Sequence, residues 1–167
     1  GGRFGDGARI GDRARIGEWA SIGAGASIGA DARIGAGACI GAGASIGAGA
    51  RIGAGVSIGA TACIGAGARI GDGVSIGEWA SIGASALIGK SADYLCLGPI
   101  GSRDDHLTVT FLPTVQYNTG CFQGSRKEFV EAVAKTHAGS AHGKAYVAVI
   151  ALVDALAAIR ANGEPTT

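Results

Sequence analysis

The sequence predicts an all-β solenoid over residues 4–93, a three-sided parallel β-helix of about five coils, followed by a small α+β domain. A large apolar residue recurs at every sixth position, beginning with Phe4 and continuing as isoleucine from Ile10 to Ile88. The hexad reads approximately I-G-[ADE]-x-[AV]-[RSC] and repeats without an insertion or a deletion. An α-helix is excluded for two reasons. Residues six apart do not lie on one face of a helix with 3.6 residues per turn, and each interior glycine would cost about 1 kcal/mol.

Strand geometry assigns the positions of the hexad to the inside or the outside of this prism. The large residue at position 1 and the small residue at position 5 lie two apart across the repeat boundary, so both point inward, whereas positions 4 and 6 point outward. Three hexads make one triangular coil, and five coils make a prism roughly 24 Å tall at the ~4.8 Å spacing of paired strands. Isoleucine and alanine fill the core and leave no ligand cavity, so function is expected on the faces, at the ends or in the C-terminal domain.

The chain divides into a solenoid domain (1–93) and a capping domain (94–167) that contains a hairpin and two helices. Residues 94–97 and 107–112 read as strands, and residues 115–118 pair with the latter as a hairpin. Ser125 and Glu128 form a capping box that opens a helix through about Thr136, with Gly139 as its stop. The second helix is expected from about Lys144 to Ala161, with an apolar stripe made of Tyr146, Val149, Ile150, Val153 and Leu156.

Composition narrows the classes of function. The formal net charge is +1, which gives no argument for nucleic acid or for a membrane surface, and the 32 glycines accompany a hydrophobic fraction of 47%, too high for a disordered chain. No apolar run approaches the roughly 18 residues that span a bilayer. The four cysteines show no C-x-x-C spacing, so neither a zinc knuckle nor a redox pair is indicated, and we expect a cytoplasmic location.

Runs such as I-G-A-G-A-C at 34–39 and I-G-A-G-V-S at 52–57 resemble the hexapeptide-repeat superfamily, which includes sugar and serine acyltransferases and the gamma-class carbonic anhydrases. The resemblance covers a little over half of the chain. It implies a left-handed coil and a common habit of forming trimers. The tail, with G-P-I-G-S-R at 98–103, T-G-C-F at 119–122 and H-G-K-A-Y at 142–146, resembles a C-terminal domain of uncharacterised bacterial hexapeptide proteins, which implies a fold and no chemistry.

One outward column of the solenoid is basic. At position 6 of successive coils it contains Arg15, Arg33, Arg51 and Arg69, and then Leu87. Guanidinium groups stacked ~4.8 Å apart repel one another by about 1 kcal/mol per pair in water, so a balancing partner is expected. Asp31, on the same strand as Arg33, is expected to offset part of this charge. The column either docks an anionic surface, which is a neighbouring subunit or an acidic polymer, or is a solvated row that prevents aggregation.

Two identical hexads, I-G-E-W-A-S at 16–21 and 76–81, place Trp19 and Trp79 outward on adjacent faces. Aromatic side chains are enriched in the cores of interfaces, which favours a contact surface. The alternative is that each indole lies across neighbouring glycines as a local lid.

The solenoid contains no histidine and no inserted loop, although the acyltransferases that it resembles place a catalytic histidine at such a position and the carbonic anhydrases need three. All three histidines follow the solenoid. Cys121 with His137 or His142 could form a thiolate and imidazole pair, and the addition of Cys96 or His106 could make a metal site. Spacing supports neither arrangement, so no catalytic group and no metal site are assigned.

The leading hypothesis is therefore a non-catalytic structural or assembly protein without a cofactor, whose partner is itself in a homotrimer or a head-to-tail filament. The filament follows from the strand edges that a solenoid exposes at its ends, where Gly1, Gly2 and Arg3 offer little cover. The alternative is an acyltransferase that uses acyl-CoA and has its catalytic group in the C-terminal domain. A third possibility is an engineered, consensus-like solenoid.

Overall fold

The computed structural model describes residues 1–100, 105–120 and 122–161, and its first part is the predicted solenoid. Each strand has two residues, the position 6 of one hexad and the position 1 of the next. The strands stack into three parallel five-stranded sheets, in which each residue pairs with the residue 18 positions later.

The first face contains β1 (Arg3–Phe4), β4 (Ser21–Ile22), β7 (Cys39–Ile40), β10 (Ser57–Ile58) and β13 (Ser75–Ile76). The second face contains β2 (Arg9–Ile10), β5 (Ser27–Ile28), β8 (Ser45–Ile46), β11 (Cys63–Ile64) and β14 (Ser81–Ile82). The third face contains β3 (Arg15–Ile16), β6 (Arg33–Ile34), β9 (Arg51–Ile52), β12 (Arg69–Ile70) and β15 (Leu87–Ile88).

Glycine at hexad position 2 is required by the stacking of the coils. A Cβ atom at Gly47 would lie 2.4 Å from the backbone nitrogen of Ala66 in the next coil, and the same overlap recurs at Gly35 and Gly59. Without the methyl group, the Gly47 N–H approaches the carbonyl oxygen of Ile64 to 2.7 Å and donates a hydrogen bond. The repeated glycine is therefore a steric condition for parallel pairing between coils.

Hexad position 4 forms the corners of the prism and has a left-handed backbone. Most corners use glycine, but six use other residues: Arg13, Trp19, Asp31, Thr61, Trp79 and Ser85, all with φ between 57° and 61°. This conformation costs a residue with a side chain roughly 1–2 kcal/mol. Trp19 and Trp79, expected outward on adjacent faces, do point outward but project from corners of the prism.

The solenoid core consists of stacked isoleucine and alanine side chains, as predicted. From Ala20 to Ile88 every position 1 and position 5 residue is at most 4% exposed, and valine replaces alanine only at Val56 and Val74. A fully buried isoleucine contributes about 1.5–3 kcal/mol relative to exposure, so this column is the main source of the solenoid's stability. Cys39 and Cys63 lie on the first and second faces and are both unbridged.

The capping domain is a four-stranded antiparallel sheet covered by two helices. Its strands are β16 (Tyr94–Ile100), β17 (Asp105–Thr110), β18 (Gln116–Thr119) and β19 (Phe122–Ser125), in that order across the sheet. The hairpin predicted between residues 107–112 and 115–118 is present, but the first strand is longer than predicted and β19 was missed. Its sequence, F-Q-G-S, has only one large apolar residue, so pairing with β18 decides its conformation.

The two sides of this sheet have different environments. Leu107, Val109 and Tyr117 are fully buried against the helices, whereas Thr108, Thr110 and Asn118 point to the solenoid and are also buried. The alternation L-T-V-T-F in β17 therefore separates an apolar core from a polar contact with the last coil.

That polar contact closes the C-terminal end of the solenoid. In a parallel stack the last coil has N–H groups with no following coil to accept them. On the first face the Ser75 N–H donates to Ser91 Oγ (3.1 Å) and the Gly77 N–H to Tyr94 Oη (2.9 Å). On the second face the Ser81 N–H donates to Thr108 Oγ1 (2.9 Å). On the third face the Leu87 N–H donates to the Leu112 carbonyl (3.1 Å) and the Gly89 N–H to Asp93 Oδ2 (2.8 Å). The capping domain thus provides an acceptor on all three faces.

Helix α1 (Arg126–His137) and helix α2 (Ala141–Ala161) agree closely with prediction. Ser125 and Glu128 form the predicted capping box, with the Ser125 N–H donating to Glu128 Oε2 at 2.8 Å. The predicted stripe of α2 is buried from Tyr146 to Val153, and Leu156 packs against the same core. Neither helix in the described residues combines the length and the apolar content that crossing a bilayer would need.

Candidate functional site

A cleft of about 260 Å³ opens between the end of the sheet and the two helices of the capping domain. We call it the helix–sheet cleft. Its polar lining comes from Asp105, Thr119, Thr136, His137 and Tyr146, and its apolar lining from Gly120, Phe122, Phe129, Ala132 and Val133. Leu107 of β17 pairs with Thr119 of β18, and this register brings the start of one strand and the end of the other to the same edge.

His137 is placed in the cleft by the turn between α1 and α2. It is the last residue of α1, and its carbonyl oxygen accepts hydrogen bonds from the Ser140 hydroxyl (2.8 Å) and the Ser140 N–H (3.1 Å). A Cβ atom at position 143 would lie 2.1 Å from this carbonyl, so only Gly143 allows α2 to begin so close to the end of α1. The imidazole lies 5.6 Å from the Tyr146 ring, measured between ring centroids.

Aromatic side chains hold the wall of the cleft. The Phe129 ring stacks on Tyr117 with centroids 4.6 Å apart, is tilted against Phe122 at 5.3 Å and meets Tyr146 edge to face at 5.6 Å. Such pairs contribute about 0.5–1.5 kcal/mol beyond the area that they bury. The wall is therefore a packed cluster in which Phe129 contacts all three neighbours.

A bidentate ion pair fastens the two helices beside this cluster. Arg126 Nε and Nη2 donate to the two carboxylate oxygens of Asp154 at 2.6 and 2.7 Å. This hydrogen bond lowers the pKa of Asp154. The Tyr117 hydroxyl is buried and has no hydrogen-bond partner among the described residues, and this burial, assisted by the Asp154 charge, raises the pKa of Tyr117 to about 12.

The structure separates the candidate residues that the sequence singled out in the tail. His137 lines the cleft, whereas His142 is exposed, with its ring 6.4 Å from that of His137. Cys121 lies outside the described residues. Cys96 faces the last coil, where its sulfur accepts from the Thr108 hydroxyl at 3.7 Å, and His106 stacks on Trp79. Within the described ranges, no three histidine, cysteine or acidic side chains come together as a metal site.

Sequence reasoning missed Asp105 and Thr136 as lining residues. Only the strand register and the turn after α1 bring them to the cleft. Tyr146 was identified as a member of the apolar stripe of α2 and of the H-G-K-A-Y motif, but not as a lining residue of a cleft.

The basic column forms a second candidate surface. Arg15, Arg33, Arg51 and Arg69 pair in register along the third face, and all four are exposed. Asp31, which was expected to offset part of the Arg33 charge, forms its ion pair with Arg13 of the preceding coil, with an N–O distance of 3.3 Å, and also lines a depression with Arg15 and Arg33. Of the two tryptophans, Trp19 is 75% exposed, and Trp79 is 56% exposed beside His106.

Comparisons with known structures return proteins that match about half of this chain. The acetyltransferase domain of PglB from Neisseria gonorrhoeae is 22% identical over 52% of this chain and 45% of that one, with a TM-score of 0.43. PerB from Caulobacter crescentus, solved with CoA and GDP-perosamine, is 29% identical over 53% and 46%, with a TM-score of 0.31. WeeI from Acinetobacter baumannii is 20% identical over 52% and 50%, with a TM-score of 0.28. The chain thus spans half or less of the length of each.

A comparison with curated proteins finds no match. The family model for the bacterial transferase hexapeptide (six repeats) matches residues 7–42, 25–60 and 55–90. Together these matches cover residues 7–90, just over half of the chain, and they coincide with the stacked coils. The chain therefore belongs to the bacterial transferase hexapeptide family.

Proposed function

We propose that the protein is an acyltransferase of the hexapeptide family that takes its acyl group from acyl-CoA and reacts in the helix–sheet cleft. The observation that carries the proposal is the position of His137 in this cleft, beside Asp105, Thr136 and Tyr146. The family provides the transferase class, and the solenoid sequence contains no histidine that could act as a base.

The chemistry needs one base and a dry pocket for the acyl group. The His137 imidazole accepts the proton of an amine or a hydroxyl group as that group attacks the thioester carbonyl. A C–N or C–O bond forms, the C–S bond breaks, and the CoA thiolate leaves and takes the proton from the imidazolium. Phe122, Phe129 and Val133 offer the acyl chain an apolar surface.

The size of the cleft sets which part of acyl-CoA it takes. Complete small-molecule sites commonly measure about 300–1,000 Å³, and this cleft is slightly smaller. It therefore fits the acyl end and the adjoining thioester, with the nucleotide outside.

The test measures acetyl-CoA binding by calorimetry, and thiol release in the presence of a panel of amino and hydroxyl sugars. We expect His137→Gln to abolish thiol release with little change in melting temperature. His142→Gln is the matched control and should retain both activities, because His142 is exposed and is not part of the cleft lining. A failure of millimolar acetyl-CoA to bind, or equal activity of the His137 variant and the parent, would overturn the proposal.

A second candidate is a non-catalytic scaffold that self-associates. The exposed Trp19 favours it, because exposed indoles are enriched in interface cores. A head-to-tail filament would have to displace the capping domain from the last coil, whereas lateral association into a trimer would not. Light scattering over a concentration series decides this candidate: a trimer supports it, and a monomer at every concentration removes it.

A further inference from the structure

The third face of the solenoid carries a row of four guanidinium groups, which we call the arginine ladder: Arg15, Arg33, Arg51 and Arg69. Backbone pairing between successive strands fixes their register. With strands ~4.8 Å apart, the three steps of the ladder extend over roughly 14 Å. The four arginine Cα atoms thus form a regular row whose repeat is set by the backbone.

No ladder residue forms an ion pair within the described part of the chain, and the Asp31 carboxylate that lines a depression with Arg15 and Arg33 is paired with Arg13. The ion pairs in this part of the chain join Arg13 to Asp31, Arg126 to Asp154 and Lys127 to Glu131. Each adjacent pair of guanidinium groups repels by about 1 kcal/mol in water at these separations. An array held against its own repulsion favours binding of a ligand that neutralises several charges at once.

The surface beside the ladder is open and flat. Gly53 and Gly71, which have no side chains, lie between Arg51, Arg69 and Leu87 along a shallow depression of about 370 Å³. A second depression of about 410 Å³ is lined by Arg15 and Arg33 together with the corner residues Arg13 and Asp31. A chain-like ligand can therefore lie along Arg51 and Arg69 without meeting a projecting side chain between them, and passes the Arg13–Asp31 ion pair beside Arg15 and Arg33.

A second copy of the solenoid does not present the complementary charge. Its acidic residues are Asp6, Asp12, Glu18, Asp31, Asp72, Glu78 and Asp93. No two of them are 18 residues apart, so none lies directly above another in successive coils. The ladder would meet isolated carboxylates there and not an acidic column.

The spacing also distinguishes between polymers. Phosphates of one nucleic-acid strand in a duplex repeat about every 3.4 Å, so after three steps they are out of register with the ladder by roughly 4 Å. Proteins that bind single strands add a series of aromatic platforms, whereas the outward positions of this face are arginine, glycine and Leu87. An extended chain of uronic acid sugars carries one carboxylate per sugar, and one sugar is close to one coil in length.

We propose that the arginine ladder binds a linear acidic polysaccharide along the solenoid axis, one carboxylate to each guanidinium. Arginine suits this role because its planar fork matches the geometry of a carboxylate. The site is separate from the helix–sheet cleft, so it is tested without reference to catalysis.

The experiment measures binding of the full chain to a galacturonate hexamer by calorimetry at low and at moderate salt. Removing two of four paired charges in Arg33→Gln/Arg51→Gln should weaken binding at low salt by about tenfold or more and flatten its salt dependence. Arg3→Gln/Arg9→Gln removes the same net charge from the first and second faces and should leave the affinity within about twofold of the parent, since charges on other faces are screened.

Three results would overturn the proposal. They are no binding of the hexamer at low salt, an equal loss in the two double variants, and tighter binding of a thymidylate hexamer than of the galacturonate hexamer. The last result would identify a nucleic acid as the preferred partner. Melting temperatures of both variants, expected to match the parent because all four side chains are exposed, separate a binding defect from misfolding.

Discussion

The indole of Trp79 lies parallel to the imidazole of His106, with ring centroids 6.2 Å apart and planes 8° from parallel. Trp79 is a corner residue near the end of the solenoid, and His106 lies on β17 of the capping domain. The contact therefore joins the two domains at their surface. Trp19, in an identical hexad of the first coil, has no such partner among the described residues and is more exposed.

This difference predicts unequal effects of two identical substitutions. Trp79→Ala should destabilise the capping domain by about 0.5–1.5 kcal/mol, the usual contribution of an aromatic pair, whereas Trp19→Ala should change stability little. Denaturant unfolding measures both. The fluorescence of Trp79, retained alone in Trp19→Ala, should be at shorter wavelength than that of Trp19, retained alone in Trp79→Ala. Equal stabilities and equal spectra would contradict the stacked arrangement in solution.

Two neighbouring glycines of one hexad should differ sharply in their tolerance of alanine. Gly47→Ala places a methyl group 2.4 Å from the Ala66 backbone nitrogen and should prevent the coils from pairing, giving insoluble or largely unfolded protein. Gly49→Ala meets no atom within 4 Å and should cost only about 1–2 kcal/mol, because its φ is +66°. Expression, circular dichroism and thermal melts compare the two. A soluble Gly47 variant with parental stability would contradict the steric role of position 2.

The closure of the last coil predicts a local effect of Thr108→Val. This substitution keeps the shape of the side chain but leaves the Ser81 N–H without its acceptor, which costs about 1–3 kcal/mol in a part-buried position. Amide hydrogen exchange at Ser81 should become faster. Thr114→Val, at an exposed threonine between β17 and β18, is the matched control and should leave that exchange rate unchanged.

The raised pKa of Tyr117 predicts a loss of stability in alkali. The unfolded chain ionises this phenol near its ordinary pKa of about 10, while the folded protein holds the proton up to about 12. The contribution is therefore complete below pH 10 and is lost as the pH rises through about 12. Tyr117→Phe removes a titrating group from the unfolded state, so its stability should fall less than that of the parent between these two pH values. Parallel stability profiles for the two proteins would contradict the assignment.

The solenoid was predictable from sequence because each of its constraints repeats. Once one isoleucine is assigned to the inside of the prism and one arginine to the outside, the period of six assigns the corresponding residues of all the other hexads. The Asp31 to Arg13 ion pair obeys the same register, because the two residues are 18 apart at position 4 of successive coils, but the expectation paired Asp31 with its strand neighbour Arg33. The helix–sheet cleft was less accessible still, because Asp105 and His137 are far apart in sequence and meet through strand register and one tight turn.

The 18-residue register determines which insertions keep the surface columns of the solenoid aligned. Inserting one hexad before Arg51 would move every later residue to the next face, so that Arg51 and Arg69 would no longer align with Arg15 and Arg33. Inserting three hexads would restore all columns and lengthen the prism by one coil. The solenoid can thus be lengthened without disturbing its surface pattern only in steps of 18 residues, which is the separation between paired residues in its sheets.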